Sequence, residues 1–297
     1  MGLVCAMVDS QMEYMFICSS VLIYYSKCKR KNQKYLDNRT LQDSNRPVIS
    51  CRRSDIQPGT RNIQPGTRNI QPAPAYPTGA GWANHQLAAL ETDMAVAQDI
   101  AFVGQLIDAY AVDAWRMSVA SEDPKDAGVP PEMQASEVND EGWVEWRVLP
   151  STLADADVTA LENEFGVKFP PLFRAYLLAR FQLFDQVKSR RYDQQIFMTD
   201  TPSRKPLKLL RDLIKAWRPL VDAGYTPFAQ WGDGWGPMCF DSCEREADGE
   251  CPVVWMDHEL LIPLGSDKCG QRESVLPLAQ PLYGSCREFL VDVFGRG

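Results

Sequence analysis

Thr226-Pro227-Phe228-Ala229-Gln230-Trp231, Gly232-Asp233-Gly234-Trp235-Gly236 and Pro237-Met238-Cys239-Phe240-Asp241 follow one another without a break, and the fold turns on how they are read. Two runs rich in apolar and aromatic residues flank an Asp-Gly pair, the composition of an antiparallel hairpin. A phosphate loop of the Walker type needs Gly-Lys-Ser/Thr opening a helix, whereas here Pro237-Met238-Cys239-Phe240 opens a strand. The turn is the better reading.

Outward from the hairpin, Pro252 to Glu259 reads as a further strand, and Gln195-Ile196-Phe197-Met198-Thr199 as a short one upstream. Helices surround them. Ser151-Thr152-Leu153-Ala154-Asp155 offers cap residues, Val158, Leu161 and Phe165 share a helical face, and Gly166 is the stop. Phe169-Pro170-Pro171 opens a second helix, Leu172 to Phe184, because proline suits a first turn. Leu207 to Arg218 is a third, with Leu210, Leu213, Ile214 and Trp217 inward and Pro219 as its stop, and Leu282 to Phe294 closes the chain as a fourth. Helices around a block of close-set strands predict an α+β fold, an antiparallel sheet flanked by helices.

The part before Trp143 divides in two. Leu87, Leu90, Met94, Ala97 and Ala101, then Val103, Ile107, Tyr110 and Ala114, recur mostly at three- and four-residue steps. That spacing predicts a long amphipathic helix, which either packs on the following domain or pairs with another chain. Glu122 to Glu141, acidic and holding Pro124, Pro130 and Pro131, reads as a linker. Further upstream the seven-residue unit Asn62-Ile63-Gln64-Pro65-Gly66-Thr67-Arg68 repeats around residues 55–72. One aliphatic residue and a Pro-Gly turn per copy leave no apolar seam, so it is no coiled-coil heptad. Such a repeat also fits repetitive DNA read as protein, with Met94, Met117 or Met133 as a downstream start. The apolar run Tyr14 to Tyr25 is shorter than the roughly 20 residues that span a bilayer, and basic residues follow rather than precede it. The expected organisation is a low-complexity extension over 1–83, a helix and acidic linker over 84–142, and a folded domain over 143–297.

Charge separates the same regions. Residues 1–75 carry 11 Lys and Arg against 5 Asp and Glu, while residues 76–297 carry 20 against 34. An acidic body repels nucleic acid and anionic membrane and steers basic protein partners toward itself. Nine cysteines, an odd number, in 297 residues are too few for a disulfide scaffold, which points to a reducing, cytoplasmic setting.

Residues able to carry chemistry are sparse. The chain has two histidines, and no Gly-x-Ser-x-Gly elbow or Cys-x-x-Cys pair occurs in it. Cys239, Cys243 and Cys251 are a weak zinc set at those spacings. As the end of a strand, Asp257-His258-Glu259 would put Asp257 and Glu259 on one face with Trp255, and His258 at a core edge with Met256 and Val254. Two carboxylates are too few for a hard cation. We therefore expect no enzyme, no metal and no cofactor. Trp231 and Trp235, flanking the turn, read equally as interface anchors or as core. Glu244-Arg245-Glu246-Ala247-Asp248-Gly249-Glu250 reads as a solvated hairpin end or as a recognition surface for a basic protein. The candidate partner-binding set is thus Trp231, Asp233, Trp235, Asp241, Glu244, Glu246, Asp248, Glu250, Asp257 and Glu259.

A wider order of motifs carries a resemblance. Leu161-Glu162 in a helix, Gly166, Pro170-Pro171 and Phe173-Arg174-Ala175-Tyr176-Leu177 come first. Pro227-Phe228-Ala229, Gly232-Asp233-Gly234-Trp235-Gly236, Cys239-Phe240-Asp241, Pro252 to Glu259 and a terminal Phe289-Leu290 helix follow. Over about residues 143–297 this resembles the SUKH superfamily, the Smi/Knr-type fold of bacterial toxin-immunity proteins and of a fungal cell-wall regulator. Phe181-Gln182-Leu183-Phe184 departs from the Gly-rich turn that many members have there. The resemblance implies a non-catalytic protein that binds and neutralises a cognate polymorphic toxin, or alternatively a regulatory scaffold with a non-toxin partner. Many such toxins are basic nucleases, against which an acidic surface can compete with phosphate.

Overall fold

The computed structural model describes residues 80–120, 128–232 and 235–296, with side chains from residue 94 onward. The seven-residue repeat, the apolar run 14–25, the expected 1–83 extension almost entirely, and Asp233 lie outside the described residues. Of the ten strands described, the sequence reading covers only those at Gln194–Met198, Tyr225–Trp231, Gly236–Asp241 and Val253–Trp255, yet the class is as expected: helices and an antiparallel sheet.

Six strands form that sheet. They are β5 (Gln186–Ser189), β6 (Gln194–Met198), β7 (Tyr225–Trp231), β8 (Gly236–Asp241), β9 (Val253–Trp255) and β10 (Gln280–Tyr283), hydrogen-bonded in the order β10-β9-β8-β7-β6-β5 with every pairing antiparallel. Two smaller pairs stand apart from it: β1 (Met117–Val119) with β2 (Trp143–Glu145), and β3 (Leu149–Pro150) with β4 (Arg180–Phe181). Nine helices, α1 to α9, are described: Ala80–Asp113, Asp155–Phe165, Pro171–Ala179, Lys208–Ala216, Arg218–Asp222, His258–Leu261, Gly265–Cys269, Arg272–Val275 and Cys286–Phe294.

The sheet is buried on both faces. Phe228, Met238, Phe240 and Val253 join the larger core with Phe173 and Tyr176 of α3 and Phe289 and Leu290 of α9. Tyr225, Cys239, Val254 and Met256 join a smaller core with Leu213 of α4, Leu220 of α5 and Leu261 of α6. The period of two along β8 and β9 sorts neighbouring residues into opposite layers, as strand geometry requires. It also separates Cys239 from Cys251, which sits in the larger core, so the spacing that raised zinc does not gather those thiols.

The first helix docks on the rest of the chain. Val103, Ile107 and Ala111 are buried in the larger core, and Tyr110 meets Phe184 and Phe294 edge-on at 5.0 and 5.2 Å. Arg180 donates to Asp108 through Nε and Nη2 at 2.9 and 2.7 Å, a two-pronged clasp between α1 and β4. Of the stripe expected to face inward, Met94, Ala97 and Ala101 are exposed. Among the residues whose side chains are described, packing on the domain begins at Ile100, and from there periodicity translates into burial.

Several boundaries differ from expectation. The helix read from Leu172 to Phe184 ends at Ala179, because Arg180 is extended and pairs with Pro150. Phe181 and Phe184 are buried all the same, so an apolar pattern could not locate the break. Pro219 does not merely stop a helix; it lies in the first turn of α5, which follows at once. The last helix starts at Cys286 with Ser285 as its cap, and the residues just before it form β10. Nor is the whole of Glu122 to Glu141 a linker: Val129 and Met133 are fully buried, and Val129 bridges to Ala120.

Candidate functional site

The expected site residues fall at two ends of the sheet. Trp235 precedes β8 and the Glu244–Glu250 loop follows it, so the six-residue strand holds them about 20 Å apart. What looked like one acidic, Trp-bearing side is two sites.

The first is the hairpin end. Gly232 has φ 56°, and a Cβ there would fall 2.3 Å from Cδ1 of Trp235, so the indole lies over this glycine. Trp235 remains half-exposed, at 50%. Trp231 is half-buried, stacks on Trp255 at 6.2 Å and takes the edge of Tyr192 at 5.4 Å. The two tryptophans left open by the sequence therefore divide: Trp235 is a surface ring and Trp231 belongs to an aromatic cluster. The cluster's other members, Tyr192 and Trp255, were not among the candidates. Trp255 had been placed by its alternation, whereas nothing local to Tyr192 marks its long-range contact.

Asp257-His258-Glu259 does not extend a strand. The strand ends at Trp255, and Asp257 turns to cap α6, its Oδ1 accepting from the Glu259 backbone N–H at 2.8 Å. The His258 backbone N–H donates to the Trp235 carbonyl at 2.9 Å, which hangs this helical turn from the hairpin. A residue with a carboxylate cap preference ends the strand here, and the same-face pairing of Asp257 with Glu259 goes with it. His258 Nδ1 is 3.7 Å from Asp257 Oδ1. Just beyond, Leu260 and Ile262 are exposed.

The second site is the Glu244–Glu250 loop with the start of α9. It is no free hairpin end. Arg245 donates to the Gly249 and Lys168 carbonyls, both at 2.5 Å, which ties the loop to the approach to α3. Glu244, Glu246 and Asp248 are exposed. Glu250 is buried; backbone N–H groups of Leu172, Arg287 and Cys286, at the starts of α3 and α9, favour its charged form, but burial outweighs them and raises its pKa. Its Oε2 is shielded and has no hydrogen-bond partner. Asp241 is also withdrawn from the surface, contrary to its place in the binding set. It accepts from Nη1 and Nη2 of Arg272, each at 2.9 Å, and Arg272 lies over the Tyr225 ring at 4.7 Å. That part-buried ion pair fastens α8 to β8 and occupies both oxygens of the carboxylate.

A cavity of about 300 Å³ opens between the loop and α9, lined by Glu246, Asp248 and Glu250 on one wall and Gly284, Ser285, Arg287 and Glu288 on the other. Among the described residues no three His, Cys, Asp or Glu side chains are gathered as a metal ion would need. Within the same residues no helix is long and apolar enough to cross a membrane. No family model matches the chain, and no curated protein matches it.

Proposed function

We propose that this chain is a SUKH-like immunity protein of the cytoplasm, which binds a cognate protein toxin and blocks it without catalysing a reaction. The observation that carries the reading is Trp235: a half-exposed indole seated on a glycine at a hairpin turn, with exposed Leu260 on the helical turn hung from its carbonyl and exposed Ile262 just after that turn. A large aromatic ring with apolar neighbours and carboxylates at Asp257 and Glu259 has the form of an interface anchor inside a polar rim. The motif order over residues 143–297 supports the toxin as partner, and the acidic balance of residues 76–297 supports a basic one.

The test is co-expression with a toxin domain encoded immediately upstream. The chain should restore growth, and Trp235→Ala, with an unchanged melting temperature, should raise the dissociation rate and cost about 2 kcal/mol or more of binding. Association should slow as salt shortens the Debye length below about 10 Å. Full-strength protection by folded Trp235→Ala would move the interface elsewhere. A tight complex with a non-toxin protein, and no protection, would favour the regulatory-scaffold alternative.

A further inference from the structure

The ribbon of β1 and β2 is covered on one face only. Val144 is fully buried, Trp146 two residues on nearly so, and the register puts Ser118 opposite Val144 on that inner face. The period of two turns Met117, Val119, Trp143 and Glu145 the other way, Met117 opposite Glu145 and Val119 opposite Trp143. Val119 is exposed and the other three are half-buried. Trp115 continues the same face: it lies two residues before Met117, in a stretch where the Arg116 carbonyl still accepts from the Trp146 N–H at 2.9 Å. At 80% it is the most exposed of the large apolar side chains described, well beyond Trp235. Val112, on the last turn of α1, and Val138, next to the Asn139 whose N–H donates to the Trp143 carbonyl, are exposed as well.

Carboxylates flank these apolar residues and outnumber the cations near them. Residues 113–147 carry 9 Asp and Glu against 3 Lys and Arg. The turn from Asn139 to Gly142 holds Asp140 and Glu141 at the Val119 end of the ribbon. There Asn139 Oδ1 accepts from the Glu141 and Trp143 N–H groups at 3.0 and 2.8 Å, and the Ala120 N–H donates to the Gly142 carbonyl at 2.9 Å. Glu137, Asp140 and Glu141 are exposed and have no ion pair among the described residues. Glu145 is met by Arg116 at 3.3 Å and Asp113 by Arg296 at 3.5 Å.

We propose that the Trp115 face is a docking site for a basic amphipathic helix of a protein partner. An apolar face on paired strands is ordinarily closed by another layer of structure, and monomers seldom leave such patches open. A tryptophan among smaller apolar groups inside a polar rim has the form of an interface anchor. The charge selects the occupant. A second copy would bring the same carboxylates against these, and nucleic acid or an anionic membrane would be repelled in the same way. A helix with Lys or Arg beside its apolar stripe supplies both halves: apolar atoms for Trp115, Met117, Val119 and Trp143, and cations for Glu137, Asp140 and Glu141. The face lies on a different sheet from Trp235 and does not rest on the reading of that residue.

The probe is a peptide of about 18 residues built of leucine and lysine, with leucine at i, i+3, i+4, i+7 spacing, titrated into the full chain while backbone amide resonances are followed. Saturable shifts are expected at residues 115–119 and 137–145, with none from the same peptide carrying glutamate for lysine. Trp115→Ser, at an exposed position, should leave the melting temperature unchanged and weaken the lysine peptide at least about tenfold. Val119→Thr, which keeps the β-branched shape, should act in the same direction and serves if Trp115→Ser misfolds. Asp140→Asn combined with Glu141→Gln should lower the association rate and flatten its dependence on salt. Binding by the glutamate peptide, shifts confined to the Trp235 end of the larger sheet, an affinity unchanged in the folded variants, or no binding at all would overturn the proposal. So would concentration-dependent broadening at Trp115 to Val119 without peptide, which would make a second copy the occupant. Failure with this probe leaves the Trp235 test standing, and failure to protect against a toxin leaves the probe result standing.

Discussion

Asp200 carries an oxygen, Oδ1, that is shielded from solvent and has no hydrogen-bond partner. Burial first, and the nearby Asp185 carboxylate second, push its pKa up to about 7. The unfolded chain holds this proton only up to about pH 4, so the folded state binds it more tightly. The contribution to stability is therefore complete below pH 4 and is lost as the pH rises toward 7. Asp185 and Glu250, both raised by burial, act in the same direction. Denaturant midpoints taken at pH 5 and pH 7.5 should fall with pH in the native chain, and Asp200→Asn should flatten that slope. An equal slope in both proteins would show that Asp200 does not titrate in this range. Arg272 poses the opposite case, a half-buried cation that partners the buried Asp241. Removing it as Arg272→Met leaves Asp241 charged and uncompensated, which should cost about 3–5 kcal/mol by equilibrium unfolding. Neither residue announces itself in the sequence, since each owes its environment to chain segments far away. Asp241 shows the consequence: at the end of an exposed-looking acidic stretch it reads as surface, and only the fold brings Arg272 to it.

Elements were legible where local chemistry left one solution. The β7–β8 hairpin is such a place, because Asp-Gly between two apolar runs has few other uses. Gly236 shows how tightly that turn is specified. Its φ is 142°, and a Cβ there would lie 1.9 Å from the Met256 carbonyl oxygen, an atom of the backbone that cannot swing aside. Gly236→Ala should therefore cost more than about 1 kcal/mol, measured by thermal or urea unfolding, and should loosen α6 together with the hairpin. A melting curve unchanged by this substitution would mean that the turn and α6 are not in contact in solution. Elements were not legible where two conformations bury the same side chains. Phe181 and Phe184 are core residues whether the chain there is helical or extended, so the end of α3 was placed too late. Leu282 and Tyr283 are buried on a strand where a continuous helix from Leu282 to Phe294 was expected. The cap at Ser285, whose Oγ accepts from the Glu288 N–H at 3.2 Å, is the local signal that separates the two.

At the scale of the molecule, the sequence sets residues 84–142 apart from the domain that follows, whereas the structure packs the stretch from Ile100 to Ala114, with Val129 and Met133, onto it. Pattern alone could not decide this, because an amphipathic stripe is the same whether its partner is the next domain or another chain. The contacts supply the answer. Ile107 is wholly buried, Tyr110 sits between Phe184 and Phe294, and Asp108, Asp113 and Asp99 meet Arg180, Arg296 and Arg287. A fragment of residues 143–297 would uncover Phe184 and Phe294 and lose the acidic partners of three arginines. It should melt well below the full chain or aggregate, while residues 84–297 should melt with the full chain, since residues 1–83 carry a Pro-Gly repeat and no core-forming pattern. Truncation can fail for unrelated reasons, so a point variant decides the matter. Ile107→Ala in the full chain removes three buried methyl or methylene carbons from the α1 seam and should cost about 2–5 kcal/mol. Met94→Ala, at an exposed position of the same helix, should change stability by less than about 0.5 kcal/mol. Equal and small effects at both positions would show that α1 leaves the domain in solution.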